Sequence, residues 1–194
     1  DNIGDKVYVR GVLSGDNYSS KYTQFKMTGK IAASGNCNAL WDYNNLNSPL
    51  KSYCGYNMFY GCTSLTQAPK LPATALAQSC YEYMFQGCTS LTKAPELPAT
   101  ALAQSCYCYM FSGCTGLTTA PKLPATTLAN ACYHSMFWNC TSLTNAPELP
   151  ATALAEWCYC RMFCDCKYLK EAPELPATTL TNGCYHSMFY NCNS

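Results

Sequence analysis

Charge, histidine and long apolar runs are all scarce in this chain. Twelve Lys and Arg balance eleven Asp and Glu among 194 residues, so the formal net charge is +1 and only 12% of residues are charged. That near-neutrality excludes a nucleic-acid binder held by a basic face. No apolar run approaches ~18 residues, so no segment reads as membrane-spanning. No leader precedes Asp1, which predicts a cytosolic chain or an already processed export. Gly-rich phosphate loops and paired-carboxylate motifs are missing as well. His134 and His186 are the only histidines. The chain is nonetheless rich in aromatics, at 13%, which excludes a disordered composition.

What the chain has instead is cysteine and repetition. Its sixteen cysteines put it at the edge of the range that marks a disulfide scaffold. Such scaffolds are usually short, and a chain of this length buries a core without staples. Met-Phe recurs at Met58, Met84, Met110, Met136, Met162 and Met188, a strict spacing of 26. One unit reads CYEYMFQGCTSLTKAPELPATALAQS, from Cys80 to Ser105. Five full units run from Cys54 to Gly183, and a partial sixth ends at Ser194. A period of this size means a solenoid, propeller or array.

Within a unit, Cys80, Met84, Phe85, Cys88 and Leu91 lie on one face of a helical pattern. Gly61, Gly87 and Gly113 follow late in the pattern, replaced by Asn139, Asp165 and Asn191, and suit a helix end. The next stretch, LTKAPELPAT, is too rich in proline to be helical. It reads as extended, with Ala94 and Leu97 inward and Leu102 packing back onto the core. Pro95 and Pro98 lack amide hydrogens, so a parallel ladder there is short and interrupted. Each unit is thus expected to be a short extended segment, a turn and a short helix, stacked on its neighbours.

Residues 1–53 lie outside the repeat. KVYVRGVL and YTQFKMTGKIAA read as two or three antiparallel strands, followed by a loop over 34–53. A solenoid end must be covered, so this region is expected to be a β-rich N-terminal cap over 54–194.

Twelve cysteines form two columns. One is Cys54, Cys80, Cys106, Cys132, Cys158 and Cys184; the other is Cys62, Cys88, Cys114, Cys140, Cys166 and Cys192. Eight residues of helix span ~12 Å, and neighbouring helices lie ~8–10 Å apart. A disulfide needs Cα atoms ~4.4–6.8 Å apart. The column cysteines are therefore expected to be small buried hydrophobes with reduced thiols. The alternative is a tighter coil, with extended turns in place of helices, that lets neighbours bond. Cys37, Cys108, Cys160 and Cys164 lie off the columns. One position reads Tyr56, Glu82, Cys108, His134, Cys160, His186. His134, Cys160, Cys164 and His186 form the one candidate metal cluster. Helices ~8–10 Å apart bring too few of them to one ion, so no metal is expected. A Cys160–Cys164 bond or free exposed thiols are the other readings. For catalysis, a Cys108–His134 pair is conceivable, but no third group assembles around it. The expectation is a non-enzyme without cofactors.

The pattern Cys-x-x-x-Met-Phe-x-x-Cys-x-x-Leu, followed by a Pro-containing Leu segment, resembles the BspA-like leucine-rich repeats. The likeness recurs in every unit from Cys54 to Cys192. It departs from them in the APxLP segment, where two prolines stand in the strand. The resemblance implies an α/β solenoid, a right-handed leucine-rich-repeat coil with short helices. It also implies a secreted or surface-attached bacterial protein.

Two outward surfaces are candidate binding faces. The extended segments carry Lys70, Glu96, Lys122, Glu148 and Glu174 in one column, and Gln67, Lys93, Thr119, Asn145 and Glu171 in another. Stacked at ~4.8 Å, Lys70, Glu96, Lys122 and Glu148 make an alternating charge ladder. It either lines a concave binding face or only solubilises the coil and sets its register. The position after Met-Phe reads Tyr60, Gln86, Ser112, Trp138, Cys164, Tyr190. Tyr60, Trp138 and Tyr190 there form an alternative aromatic column, suited to a protein hot spot or a sugar platform. The expected function is adhesion or recognition of protein ligands, then glycans; a structural spacer is the second expectation.

Overall fold

The computed structural model describes residues 24–26, 29–40, 42 and 44–193. Its repeating element is not the expected helix. Among the described residues there is no α-helix, only a four-residue 3-10 turn at Cys37–Leu40 and two short strands, β1 (Ile31–Ala32) and β2 (Leu65–Gln67). The α/β leucine-rich-repeat assignment is therefore wrong for this chain.

Each unit instead winds through a ribbon of consecutive β-turns. In the third unit Cys106, Cys108, Met110, Ser112 and Cys114 each donate an N–H to the carbonyl three residues back, at 3.0–3.2 Å. The residues between them do something different. Ser105, Tyr107, Tyr109, Phe111 and Gly113 donate to Asn130, Cys132, His134, Met136 and Trp138 of the next unit, at 2.7–3.0 Å. Every second N–H thus closes a local turn, and every other one bonds the following coil. A helix would use all of them internally and leave none for a neighbour.

Turns of this kind need a left-handed residue at every fourth position. Ser105 and Tyr109 have φ of 54° and 53°, and Gly113 has φ of 71°. The same three places are left-handed in every ribbon, through Tyr53, Asn57 and Gly61 to Gly183, Ser187 and Asn191. The Gly, Asn and Asp positions read as helix ends are the third of these. They do supply positive φ, but within a type II turn.

The ribbon's period of four explains the misleading pattern. Cys106 and Tyr107, Met110 and Phe111, and then Cys114 are buried to 1% or less. Over nine residues, inward pairs every four positions cannot be told from a helical face repeating every ~3.6.

Stacked coils build continuous aromatic columns. Phe59, Phe85, Phe111, Phe137, Phe163 and Phe189 stack ring on ring, with centroids 5.3–5.7 Å apart. Tyr81, Tyr107, Tyr133, Tyr159 and Tyr185 form a second column at 5.7–6.0 Å. Phe25, the one phenylalanine outside the repeat, heads the first column at 5.2 Å from Phe59.

The described part of the N-terminal region is laid along the first coil. Phe25 N–H donates to Met58 O, and β1 pairs parallel with β2, matching Ile31 to Leu65 and Ala32 to Gln67. Cys37 is buried beneath Met58. This pairing joins the N-terminal region to the first coil; the antiparallel strands expected within the region involve KVYVRGVL, which lies outside the described residues. The proline segments behave as their missing N–H groups require. Their contacts reduce to isolated parallel bridges such as Lys93 with Thr119 and Ala75 with Ala101. Ala94 and Leu97 are buried and Leu102 packs against the core.

Three outcomes check this fold. Far-UV circular dichroism of the folded protein will lack the helical double minimum. Phe137→Ala, which empties the middle of a stack, will cost about 3–5 kcal/mol in chemical denaturation. Tyr133→Phe will leave stability unchanged or raise it by about 1 kcal/mol, because the buried Tyr133 hydroxyl has no partner.

Candidate functional site

The thiols come first, because they were the chain's most conspicuous chemistry. All sixteen cysteines are free, and fifteen are buried, Cys192 being intermediate. The distance argument against bonds between coils fails: stacked rings 5.2–6.0 Å apart put neighbouring coils closer than any helix pair. The second column has a different occupation. Cys88, Cys114, Cys140, Cys166 and Cys192 each donate Sγ–H to a phenylalanine carbonyl of the preceding coil, at 3.0–3.1 Å. Phe85 O, for example, accepts from Cys114 Sγ and also from Cys88 N. The thiol uses the second lone pair of a buried carbonyl while packing as an apolar group.

Burial pushes these thiols up, to about 12 for Cys106, Cys114 and Cys166. Cys108 is pushed up as well, by burial first and then by Glu82. That is opposite to what a nucleophilic thiolate requires. Among the described residues no hydrogen bond joins Cys108 to His134. Cys160 and Cys164 are buried at 2% and 6% exposure, not the exposed thiols considered from sequence. His134, Cys160, Cys164 and His186 are not brought together, and no metal-binding group of three such side chains occurs among the described residues.

The extended-segment positions lie on the surface. Gln67, Lys70, Lys93, Glu96, Thr119, Lys122, Asn145, Glu148, Glu171 and Glu174 are all exposed. Among the described residues no ion pair locks the charge ladder. Between the last two of these segments lies an open groove of about 440 Å³, lined by residues 145–150 and 171–174 with Pro176.

The outer side of the turn ribbons is chemically richer. Tyr83 stacks on Tyr109 with centroids 5.1 Å apart, and Tyr56 meets Tyr83 edge-on at 5.6 Å. Tyr109 in turn tilts over His134 at 5.3 Å and meets Trp138 edge-on at 6.2 Å. An aromatic strip therefore crosses four consecutive coils. Trp138 is 39% exposed, and its indole N–H donates to Asp165 at 2.7 Å. That bond, and a second from the Asn191 amide, hold the Asp165 carboxyl below its ordinary range. Burial, and then the charge of Arg161, hold His134 below its ordinary value, so its ring is neutral at pH 7.

On the fifth coil Trp157 is 40% exposed and lies flat over Gly183, where an added Cβ would meet its ring at 2.4 Å. Its edge faces His186 at 5.9 Å. Of the aromatic positions singled out in the sequence, Trp138 belongs to this strip. Tyr60 and Tyr190, on the first and sixth coils, are exposed but make no ring contact with it. Tyr83, Tyr109 and Trp157 were missed. All three occupy left-handed positions, which only the four-residue period of the ribbon marks as outward.

Among the described residues no helix is long and apolar enough to cross a membrane. Comparison with family models, curated proteins and solved structures finds no match to this chain.

The thiols yield a two-part expectation. In the native protein at neutral pH, a thiol reagent will label few cysteines, whereas the unfolded, unreduced chain will label at least the twelve of the two columns. Labelling of only a few after unfolding would mean that neighbouring coils are disulfide-linked. With pKa values raised from 9.0 to about 12, the folded state retains protons that the unfolded chain releases. The stability this gives is complete below pH 9 and will be lost as the pH climbs towards 12, read as a falling urea midpoint.

Proposed function

We propose that the chain is a non-catalytic recognition module that binds a protein ligand through the outer side of its turn ribbons. One observation carries this reading: the ribbons are alike inside and different outside. The buried columns keep Cys, Met, Phe and Cys in every unit, and Tyr from the second unit onward. The positions beside them differ from unit to unit, running Tyr56, Glu82, Cys108, His134, Cys160, His186 and Asn57, Tyr83, Tyr109, Ser135, Arg161, Ser187, with Cys108, Cys160 and Ser135 the buried ones among them. On the proline face, by contrast, Pro72 and Thr74 recur unchanged as Pro98 and Thr100, Pro124 and Thr126, Pro150 and Thr152, and Pro176 and Thr178.

A spacer needs only solubility from its surface. Leaving Trp138 and Trp157 two-fifths exposed forgoes burial worth ~25 cal/mol per Å², which a bound partner restores. Tyr, Trp and Arg are the side chains that dominate protein hot spots. Affinity comes from several moderate contacts along consecutive coils, and glycans are the second ligand class. The resemblance to BspA-like proteins supports an exported or bacterial surface setting, and thiols that are buried and protonated are shielded from exchange there. A structural spacer within a larger surface protein is the competing reading.

The test is an array of host-surface and matrix proteins together with a glycan panel, probed with the intact protein. Protein ligands are expected, with Trp138→Ala and Tyr109→Ala each weakening binding about 30-fold. Lys122→Ala on the opposite face will leave affinity unchanged. Silence across both panels removes the recognition reading and favours the spacer. Loss on Lys122→Ala but not on Trp138→Ala transfers the site to the proline face.

A further inference from the structure

The outer side of the ribbons carries a charge that the fold leaves unpaired. Arg161 is exposed on the fifth coil, at a left-handed position with φ of 52°. Asn57 fills the same place on the first coil, and asparagine tolerates that backbone where a long side chain is strained. Among the described residues the Arg161 side chain makes no hydrogen bond or ion pair, with Glu156 and Asp165 of its own coil included. Its charge is felt at His134 on the coil before, where burial is the larger influence. His134 is the ring over which Tyr109 tilts, so Arg161 stands beside the aromatic strip.

Asp165, four residues further on, is the opposite case. Its Oδ2 accepts from the Trp138 indole at 2.7 Å and from the Cys164 thiol at 3.4 Å, and its Oδ1 accepts from the Asn191 amide. Gly61, Gly87, Gly113 and Asn139 hold the same place on earlier coils, and none of them carries a charge. Asp165 is a positioning residue: it ties the exposed Trp138 ring to the next coil and takes the only polar hydrogen that ring has.

These side chains define what a partner must bring. Trp138 presents a ring whose N–H is already bonded, and both oxygens of Asp165 already accept. Beside the ring little is left to hold sugar hydroxyls, which favours a protein ligand over a glycan. The ring calls for an apolar side chain. The free guanidinium calls for an anion, and it fits a planar carboxylate through two parallel bonds. Resting on the recognition reading above, we infer that the ligand is an acidic protein segment that sets an apolar or aromatic side chain on Trp138 and a carboxylate on Arg161.

The test selects ligands from a random-peptide display library with the intact 194-residue protein. The selected peptides will carry Asp or Glu next to Phe, Trp or Leu, and their binding will weaken as salt is raised. For such a peptide Arg161→Ala will cost about ten-fold in affinity, Arg161→Lys will recover part of that loss, and Arg161→Glu will abolish binding. These variants will keep the parent's urea midpoint, because the Arg161 side chain bonds nothing within the described fold. Asp165→Ala will shift the Trp138 indole N–H resonance and weaken binding. Asp165→Asn, whose amide oxygen still accepts that hydrogen, will restore both. The inference is overturned if the selected peptides are basic or uncharged, if Arg161→Ala binds them as tightly as the parent, or if only acidic glycans bind in an Arg161-dependent way. Peptides that need Trp138 but ignore Arg161 overturn this inference alone. If neither the library nor the protein and glycan panels yield a ligand, the recognition reading falls with it.

Discussion

The structure depends on a division of labour among backbone N–H groups. Within each ribbon, half of them close β-turns and half reach the next coil. Neither half is dispensable. Without the local bonds the ribbon would not hold its inward pairs, and without the forward bonds the coils would not approach closely enough for ring on ring stacking. At about 1 kcal/mol net per bond, five forward bonds give each junction roughly the worth of a small domain's whole stability. Those bonds offset a real cost. Three residues per ribbon are left-handed, most of them not glycine, at ~1–2 kcal/mol for each residue carrying a Cβ.

That cost explains why the core is so uniform. A forward bond forms only if the next coil presents its carbonyl at the same height, so each coil must be as thick as the one before. Stacked Phe and Tyr rings at 5.3–6.0 Å set that thickness. Met fills the space beside the Phe column, and the small thiol of the second cysteine column fits beneath it while bonding a phenylalanine carbonyl. An alanine there would leave a buried carbonyl lone pair unused, and a serine would bring a more strongly hydrated hydroxyl into the same apolar site. Cysteine is the compromise, with no disulfide needed to account for it.

The repeat, its inward columns and the interrupted proline ladder were all legible in the sequence, since each follows from side-chain type at a fixed spacing. The turn ribbon was not. Its period of four imitates a helical face over nine residues, and the decisive information lies in backbone dihedrals that side chains barely report. Gly61, Gly87 and Gly113 did signal positive φ, but Tyr109, Arg161 and Trp157 adopt it too, and no propensity would assign it to them. Phe25 was hidden for a different reason. It joins the phenylalanine column from outside the 26-residue register, carried there by the pairing of β1 with β2. Of the candidate site, Trp138 was visible as an exposed aromatic. Tyr83 and Tyr109 became part of it only once the ribbon placed their column beside it.

The same geometry separates what must stay constant from what is free to differ. A left-handed residue contributes its backbone to the junction, and except at the buried Ser79 and Ser135 its side chain is at least partly exposed, so its identity weighs less on stacking. Inward pairs have no such freedom, because both neighbours touch them. Variation therefore collects at these positions, where Asn57, Tyr83, Tyr109, the buried Ser135, Arg161 and Ser187 succeed one another at a single backbone position. A scaffold with this property can change its surface chemistry coil by coil without re-solving its core. That is the physical ground for assigning recognition to the ribbon face and structure to the columns behind it. On the proline face Pro and Thr recur at each turn and forward bonds are few, while its exposed columns from Gln67 to Glu171 and from Lys70 to Glu174 vary without carrying any aromatic side chain.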